Sequence, residues 1–257
     1  MRKSKEAEIV RFYEADAEAY DADRFLTIQG AYVDRIQKEI VLNMLGSWSN
    51  KKILDLGCGT GRFSIEIAKR GARVTAFDPS KSILEQARRK IKNSEINLIR
   101  GDGCKLPFQD NTFDGCVCVN VINHVEDYYQ LMREIGRVVQ EEGFIIINFS
   151  NFFSFYLPIA LYVNITKRSV QKDVYSKWFT TTEIKNCLAT AGFKIHDVKG
   201  HLLFPKRAAP KFLIDLLKNL DAKFRSSQLK YLTGSLFIKG IKKRCEHLTK
   251  TNDGGDT

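Results

Sequence analysis

Two carboxylates and three glycines stand at a spacing that suits the binding of a nucleoside. Asp55 interrupts an apolar run, Gly57, Gly59 and Gly61 follow at alternate positions, and Asp78 ends the next apolar run. Glycines let a backbone turn sharply and approach a ligand without a clash from Cβ atoms. The first turn of a following helix offers free N–H groups to an anionic part of the ligand. A carboxylate at the end of the second strand can accept hydrogen bonds from both ribose hydroxyls.

The spacing of these glycines excludes two common nucleotide sites. The dinucleotide fingerprint G-x-G-x-x-G would need glycine at position 62, where the chain has Arg62. A P-loop would need Gly-Lys-Ser or Gly-Lys-Thr after the turn, and no such sequence follows. The ligand is therefore predicted to be a nucleoside of another kind.

Two later segments add polar side chains at the ends of predicted strands. Asp102 lies in a Gly-Asp-Gly turn after the apolar stretch 96–99, and Asn120 and His124 follow the stretch 116–119. Ligands bind beyond the carboxyl ends of strands in open α/β sheets, so these side chains should face the same site. His124 is a candidate catalytic base, and the alternative is a hydrogen-bonded structural histidine.

Taken together, these motifs resemble those of class I S-adenosylmethionine-dependent methyltransferases, and residues 53–126 resemble the small-molecule type 11 family. The resemblance implies S-adenosylmethionine as the cofactor, with Asp102 receiving the adenine amino group. It implies that the following residues bind the cofactor: Asp55, Gly57, Cys58, Gly59, Gly61, Asp78, Pro79, Asp102, Gly103 and Asn120. The sequence contains no metal-ligand pattern, so we expect no bound metal.

The elements that must position these residues follow from the apolar periodicity. Residues 51–149 give five strands alternating with helices, which predicts a parallel sheet. A further strand from 193 and a last, antiparallel strand from 234 complete the pattern that the resemblance implies. The fold class is therefore α/β, a Rossmann-like seven-stranded methyltransferase sheet with helices on both faces. We expect a single domain over residues 1–257.

Segments outside the core have two interpretations each. Residues 1–47 are predicted to form a helical lid, in which Tyr20 and Arg24 cover the cofactor as in the resembling enzymes, or else lie in a surface loop. Residues 150–180 are predicted to be an insertion on the substrate side. Its aromatic residues either wall an apolar acceptor or pack in the core beneath a cap helix, and the candidates for the first role are Tyr156, Tyr175 and Trp178.

Positive charge is concentrated in the C-terminal part of the chain, residues 181–245. Between 204 and 244 there are 11 Lys and Arg against two Asp, within a chain of net charge +11. This segment could contact RNA or another anionic surface, or be a solvated basic surface.

The apolar stretch 143–165 is interrupted by Asn, Ser and Pro, so we expect no transmembrane span. Six scattered cysteines and a polar start predict a cytoplasmic location.

The function expected from the sequence is methyl transfer from S-adenosylmethionine to a small or lipid-like acceptor, at oxygen. Asn120 is followed by Val-Ile-Asn rather than Pro-Pro-Tyr, which disfavours amino methylation of DNA or glutamine. No cysteine follows a proline, which disfavours cytosine-5 methylation. The alternatives are an RNA methyltransferase that uses the basic segment, and an inactive cofactor-binding regulatory subunit.

Overall fold

The computed structural model describes residues 2–47, 49–92, 95–168, 174–201 and 211–244. Its strands are β1 (Lys52–Leu56), β2 (Arg73–Asp78), β3 (Ile96–Arg100), β4 (Phe113–Cys118), β5 (Val139–Ser150), β6 (Phe193–His201) and β7 (Ser235–Lys242). Its α-helices are α1 (Arg2–Ala15), α2 (Tyr20–Phe25), α3 (Ile28–Leu45), α4 (Arg62–Ala68), α5 (Lys81–Lys90), α6 (Tyr128–Val138), α7 (Leu157–Thr166), α8 (Thr181–Thr190) and α9 (Lys211–Phe224).

The seven strands form one sheet in the order β3-β2-β1-β4-β5-β7-β6. The pairs from β3 to β5 are parallel, and β7 inserts antiparallel between β5 and β6. This arrangement confirms the predicted mostly parallel sheet with an antiparallel last strand. The strand order reverses direction between β1 and β4, so the carboxyl ends of these two strands flank a crevice where ligands bind in open α/β sheets.

Helices cover both faces of the sheet because successive strand residues point to opposite sides. On one face Leu54 and Leu56 pack with buried residues of α6 and α8. On the other face Ile53 packs with buried residues of α3, α4 and α5. Helix α3, predicted to be part of a lid, therefore belongs to the core, and the lid prediction is restricted to α1 and α2.

Two helices differ from the sequence expectation. The segment around Tyr20, predicted as a lid or a loop, forms the short helix α2. Residues after β5 form α7, which begins with a proline in its first turn, a position where the missing N–H costs no hydrogen bond. Within the described residues, no helix has the length and apolar character needed to cross a membrane.

Candidate active site

The glycine turn after β1 is held by backbone hydrogen bonds to the neighbouring strand. The N–H groups of Gly57 and Cys58 donate to the carbonyl oxygen of Phe77, at 2.7 and 3.1 Å. Gly57 has a φ of +70°, and a Cβ placed on it would lie 2.2 Å from Cγ2 of Val121. Only glycine meets both conditions, since a side chain would be strained at this φ and would clash with Val121.

Asp78, the last residue of β2, binds the next part of this turn. Its carboxylate accepts a hydrogen bond from the N–H of Gly59 at 3.0 Å and another from the N–H of Ser80 at 3.0 Å. The side chain is 9% exposed. Burial raises the pKa of Asp78, and the two backbone N–H groups oppose that rise because they stabilise the charged form. The carboxylate thus lies at the carboxyl edge of the sheet beside the glycine turn.

A cavity opens above the glycine turn. Gly57, Cys58, Gly59, Asp78 and Asn120 line its floor and walls. The lid helices line it from the other side, through Ile9, Val10 and Tyr13 of α1 and Tyr20 of α2. The hydroxyl of Tyr20 would lie 3.6 Å from a Cβ placed on Gly59, so the tyrosine lies directly over the turn. The cavity therefore combines a polar floor with an aromatic and aliphatic cover.

A second cavity adjoins the first. Asp102 and Gly103 line it together with the apolar side chains of Phe77 and Leu131. One carboxylate oxygen of Asp102 accepts the N–H of Cys104 at 2.8 Å, and the side chain is exposed. Apolar walls with a carboxylate at the edge suit a flat heterocyclic ring that carries an amino group. The residues that line both cavities are Ile9, Val10, Gly57, Pro79, Val121, His124 and Val125. The two cavities are thus two compartments of one groove.

His124 lies at the junction of the two compartments, at the end of a short 3-10 helix, Ile122–His124. Its Nδ1 is 2.9 Å from the carbonyl oxygen of Tyr175. A carbonyl oxygen only accepts, so Nδ1 carries the hydrogen and Nε2 of the neutral ring is an acceptor. Burial lowers the pKa of His124, and the bond to Tyr175 only partly offsets this effect. The ring is therefore neutral at pH 7, the state that a base requires.

A polar network beneath the first compartment positions Asn120. Asn120 has a φ of +62°, and its N–H donates to the side-chain oxygen of Asn148 at 2.5 Å. The side-chain nitrogen of Asn148 donates back to the side-chain oxygen of Asn120 at 2.9 Å. Arg62 donates to Gln37 at 2.6 Å and to Asp34 at 2.8 Å. These contacts fix the orientation of the loop that follows β4.

Some residues predicted for the cofactor site do not line either compartment. Asp55 is 1% exposed and accepts a hydrogen bond from the hydroxyl of Ser64, behind the turn. Burial raises its pKa to about 6. Gly61 is the N-terminal cap of α4. Arg24 lies 3.9 Å from the ring centroid of Tyr20 and forms an ion pair with Asp16 at 2.6 Å, so it supports Tyr20 from behind.

The aromatic residues predicted to contact the acceptor lie outside the groove. Trp178 is 7% exposed and packs with Ala160 and Val163 of α7, where Tyr156 joins the same cluster. Tyr175 is also buried, and it contacts the site through its backbone carbonyl to His124. Trp178 and Tyr156 thus pack with α7, the second of the two interpretations of this segment, and Tyr175 is buried outside that cluster. Direct contact with an acceptor stays untested.

The groove also contains residues that the sequence did not single out. Ile9 and Val10 of α1 line both compartments. Gln37 and Asn148 support Asn120 from distant positions in the chain. The sequence does mark Asn148 as a candidate, because it is a polar residue inside an otherwise apolar strand. Nothing about Gln37 indicates its position, because it is one polar residue of an amphipathic helix.

The basic segment is less uniform than its composition suggests. Residues 202–210 lie outside the described residues, so Lys206 and Arg207 are not placed. Arg225 pairs with Glu39 and Asp221, and Arg244 pairs with Glu142. Several of its cations are therefore neutralised by acidic partners within the chain.

Within the described residues, no group of His, Cys, Asp and Glu is arranged so that it could hold a metal ion.

Comparison with known proteins finds one family whose model matches part of the chain. The family described as "Methyltransferase domain" matches residues 54–147. A demethylmenaquinone methyltransferase from Corynebacterium kroppenstedtii is 31% identical over 141 residues, which cover 55% of this chain and 59% of that protein. One from Staphylococcus aureus is 28% identical over 148 residues, 56% of this chain and 61% of the relative. The chain therefore matches about three fifths of the length of these relatives.

Solved structures agree on the fold. A methyltransferase dependent on S-adenosylmethionine, from Thermotoga maritima, superposes with a TM-score of 0.66 and 20% identity, covering 91% of this chain and 99% of that structure. At this level of identity the similarity establishes the fold alone, since one fold hosts many functions.

Proposed function

We propose that the chain transfers a methyl group from S-adenosylmethionine to a small, apolar acceptor with a ring hydroxyl. The premise is the match of residues 54–147 to the family described as "Methyltransferase domain". The observation that carries the proposal is the two-compartment groove at the carboxyl edge of the sheet. Asp78 lies in one compartment, Asp102 lies in the other, and the glycine turn lies between them.

The residues of the groove fit the parts of this cofactor. Asp78 would accept the ribose hydroxyls, because its carboxylate has acceptor capacity beyond its two bonds to backbone N–H groups. Asp102 would accept the adenine amino group, with Phe77 and Leu131 against the ring. Asn120 and the glycine turn would hold the amino-acid portion. When bound, the cofactor supplies a methyl group already activated by the positive charge on sulfur.

His124 is proposed to accept a proton from the acceptor. Its Nδ1–H is bound to the carbonyl oxygen of Tyr175, so the ring is oriented and Nε2 holds the available lone pair. Nε2 would accept the proton of the acceptor hydroxyl, which would leave the oxygen nucleophilic toward the activated methyl group that the bound cofactor supplies. Proton transfer of this kind contributes about 10²–10⁴-fold to a rate.

The apolar cover of the groove supports the acceptor class. Ile9 and Val10 of α1 face Val121 and Val125 across the junction, so an acceptor that reaches His124 lies among aliphatic side chains. The related proteins are named demethylmenaquinone methyltransferases, which supports a quinol-like ring. Oxygen remains the predicted site of methylation, and the adjacent ring carbon is the alternative because a deprotonated phenol is nucleophilic at both positions.

The experiment that tests the proposal is turnover with S-adenosylmethionine labelled in its methyl group. The acceptors are hydroquinones with short alkyl chains, and the products are analysed by mass spectrometry and nuclear magnetic resonance, which separates oxygen from carbon methylation. We expect a methylated product and release of S-adenosylhomocysteine. Binding of S-adenosylhomocysteine without turnover of any acceptor would favour the inactive regulatory subunit, and methylation of RNA instead would favour the basic-segment alternative.

A further inference from the structure

The segment that follows β5 exposes an unusually apolar surface. Residues 151–166 contain no Asp, Glu, Lys or Arg. The large apolar side chains exposed in this segment are Phe153, Phe155, Leu157, Ile159, Leu161, Tyr162 and Ile165. Ile165 is 78% exposed and Phe153 is 62% exposed. Soluble monomers rarely expose contiguous apolar patches of this kind unless the patch binds something.

Helix α7 is apolar on its outer side as well as its inner side. Ala160 and Val163 are the buried residues of the helix, where they contact Trp178. Leu157, Leu161 and Ile165 recur every four residues, so they form one line along the exposed side. Packing within the described chain therefore uses only the small inner side of α7, and the larger apolar side chains face outward.

A second segment extends this surface. The N–H of Phe155 donates to the carbonyl oxygen of Leu232 at 3.1 Å. The side chain of Asn151 donates to the carbonyl oxygens of Phe153 and Tyr231, at 3.0 and 2.7 Å. Leu229, Tyr231 and Leu232 are themselves 40–48% exposed. We refer to these three residues and the exposed apolar residues of 153–165 together as the apolar face.

The charged side chains that border the apolar face are mainly basic. Lys167 and Arg168 follow α7 directly, and Lys230 lies within the second segment. On α9, the ring of Phe224 lies 5.9 Å from that of Phe155 between centroids, and Lys223 precedes it. Of the two aspartates on α9, Asp221 is fully buried, and Asp215 is exposed 3.8 Å from Lys218. Arg168 also pairs with Glu8 of α1, at 3.1 Å. The border thus has an excess of positive charge in a chain of net charge +11.

An apolar surface bordered by cations matches the chemistry of one partner, the surface of an anionic phospholipid bilayer. Apolar side chains enter the region between headgroups and acyl chains, and lysines at the margin contact the phosphates. Tyrosine is favoured at that depth because its ring is apolar and its hydroxyl is polar, and Tyr162 provides one. A second copy of the chain would supply equally positive charge and is less favoured for that reason.

The apolar face is joined to the groove by one short segment. Asn164 of α7 exchanges two hydrogen bonds with the backbone of Trp178, at 2.8 and 2.9 Å. Three residues earlier, the carbonyl of Tyr175 accepts the hydrogen bond from His124. Lys5 of the lid helix α1 lies 5.4 Å from the ring centroid of Tyr175. A bilayer at the apolar face would therefore lie against the structure that supports both His124 and the lid.

We propose that the apolar face docks the protein on anionic membranes, with α7 lying in the plane of the interface. The protein would then take its acceptor from the lipid phase, a part of the inference that rests on the proposed function. Docking itself is independent of catalysis, so it is measured separately.

The test is flotation of the full chain with vesicles of phosphatidylcholine and phosphatidylglycerol in equal parts, and with vesicles of phosphatidylcholine alone. We expect binding to the anionic vesicles that weakens as sodium chloride is added. The double variant Leu161→Ser, Ile165→Ser should bind at least about tenfold more weakly, or about 1.4 kcal/mol. The matched control is Leu26→Ser, Ile28→Ser, which removes two side chains that are 78% and 72% exposed elsewhere, and it should bind as wild type does.

Three outcomes would overturn the proposal. Wild type could fail to float with anionic vesicles, or the two double variants could bind equally. Alternatively, equilibrium sedimentation without lipid could reveal a dimer that Leu161→Ser, Ile165→Ser converts to monomer, which would assign the face to a second copy. Turnover of a water-soluble hydroquinone without vesicles separates the two proposals, since the α7 variant should keep the wild-type rate there.

Discussion

At the scale of single residues, Asp78 combines a structural contact with a predicted ligand contact. Its carboxylate holds the glycine turn through Gly59 and the start of the next helix through Ser80. Burial raises its pKa, which means that the charged form lacks full solvation in this site. Hydroxyl groups of a ligand would supply the hydrogen bonds that water cannot.

Replacement of Asp78 by alanine is therefore expected to weaken the binding of S-adenosylhomocysteine. The loss should be about 1.5–3 kcal/mol, since a hydrogen bond to a charged group is removed, which is roughly ten- to hundredfold in affinity. Calorimetric titration measures it. Asp114→Ala is the control, because Asp114 also accepts a backbone N–H, that of Lys52, but lies at the opposite edge of the sheet. Equal affinities for wild type and Asp78→Ala would remove this carboxylate from the site.

His124 predicts a particular dependence of turnover on pH. Because burial lowers its pKa, the neutral base predominates at pH 7, and kcat/KM should fall only as pH drops through a value below 6.5, the ordinary value. His124→Gln should lower kcat by about 10²–10⁴-fold and remove that limb of the profile, while S-adenosylhomocysteine binds as before. His196→Gln, an exposed change on β6, is the control. An unchanged profile in His124→Gln would leave this histidine with a structural role.

At the scale of elements, the turn between β1 and α4 and the lid helices differ in how firmly they are held. The turn is fixed by backbone hydrogen bonds to β2. Helix α1 is held by ion pairs between partly exposed side chains, such as Lys5 with Glu126 and Glu8 with Arg168. Pairs of this kind contribute about 0–1 kcal/mol each. We therefore expect α1 to open for ligand exchange while the turn stays in place.

The turn itself yields a prediction. Gly57→Ala should weaken S-adenosylhomocysteine binding at least about tenfold, because a Cβ 2.2 Å from Cγ2 of Val121 forces the wall shared by both compartments to move. Gly46→Ala is the matched control, since Gly46 has a φ of +80° with nothing within 4 Å of its added Cβ. That change should cost about 1–2 kcal/mol of stability through backbone strain, with unaltered affinity. Equal losses of affinity in both variants would contradict the steric explanation.

At the scale of the whole molecule, Asp55 should make stability depend on pH. Its pKa is about 6 in the folded protein against an ordinary value of 3.8, because it is buried. Between these values the folded state binds more protons at Asp55 than the unfolded state does, so the contribution of Asp55 to stability is largest below about pH 4 and is lost as pH rises through 6. The free energy of unfolding that is lost is on the order of 3 kcal/mol, since each unit of pKa difference corresponds to about 1.36 kcal/mol.

Asp55→Asn should remove this loss. Its amide oxygen can still accept the hydrogen bond from Ser64, and it carries no charge to be desolvated. Urea unfolding of the ligand-free proteins should find the variant more stable than wild type at pH 7–8, with the two free energies of unfolding converging near pH 4. Parallel free-energy curves across this range would show that Asp55 keeps an ordinary pKa.

Much of the framework was predictable from local sequence. The apolar periodicity gave the strands and helices of the cofactor-binding half, and the glycine spacing gave the turn after β1. Helix α7 is apolar over most of its surface, so no helical repeat marks its bounds, and the sequence predicted this segment only as an insertion on the substrate side. The short helix α2 was likewise missed as a helix, because six residues are too few to display a repeat.

The sequence alone determined which residue types meet at the carboxyl edge of the sheet, because strand ends in a parallel sheet share one edge whatever the packing. Tertiary structure decided which of them face the groove. Asp55 and Trp178 look as suitable as Asp78 in the sequence, yet packing buries them in other surroundings. It also brought Gln37 and the carbonyl of Tyr175 to the site from distant parts of the chain. Such contacts depend on how helices pack against the sheet, which no local pattern encodes.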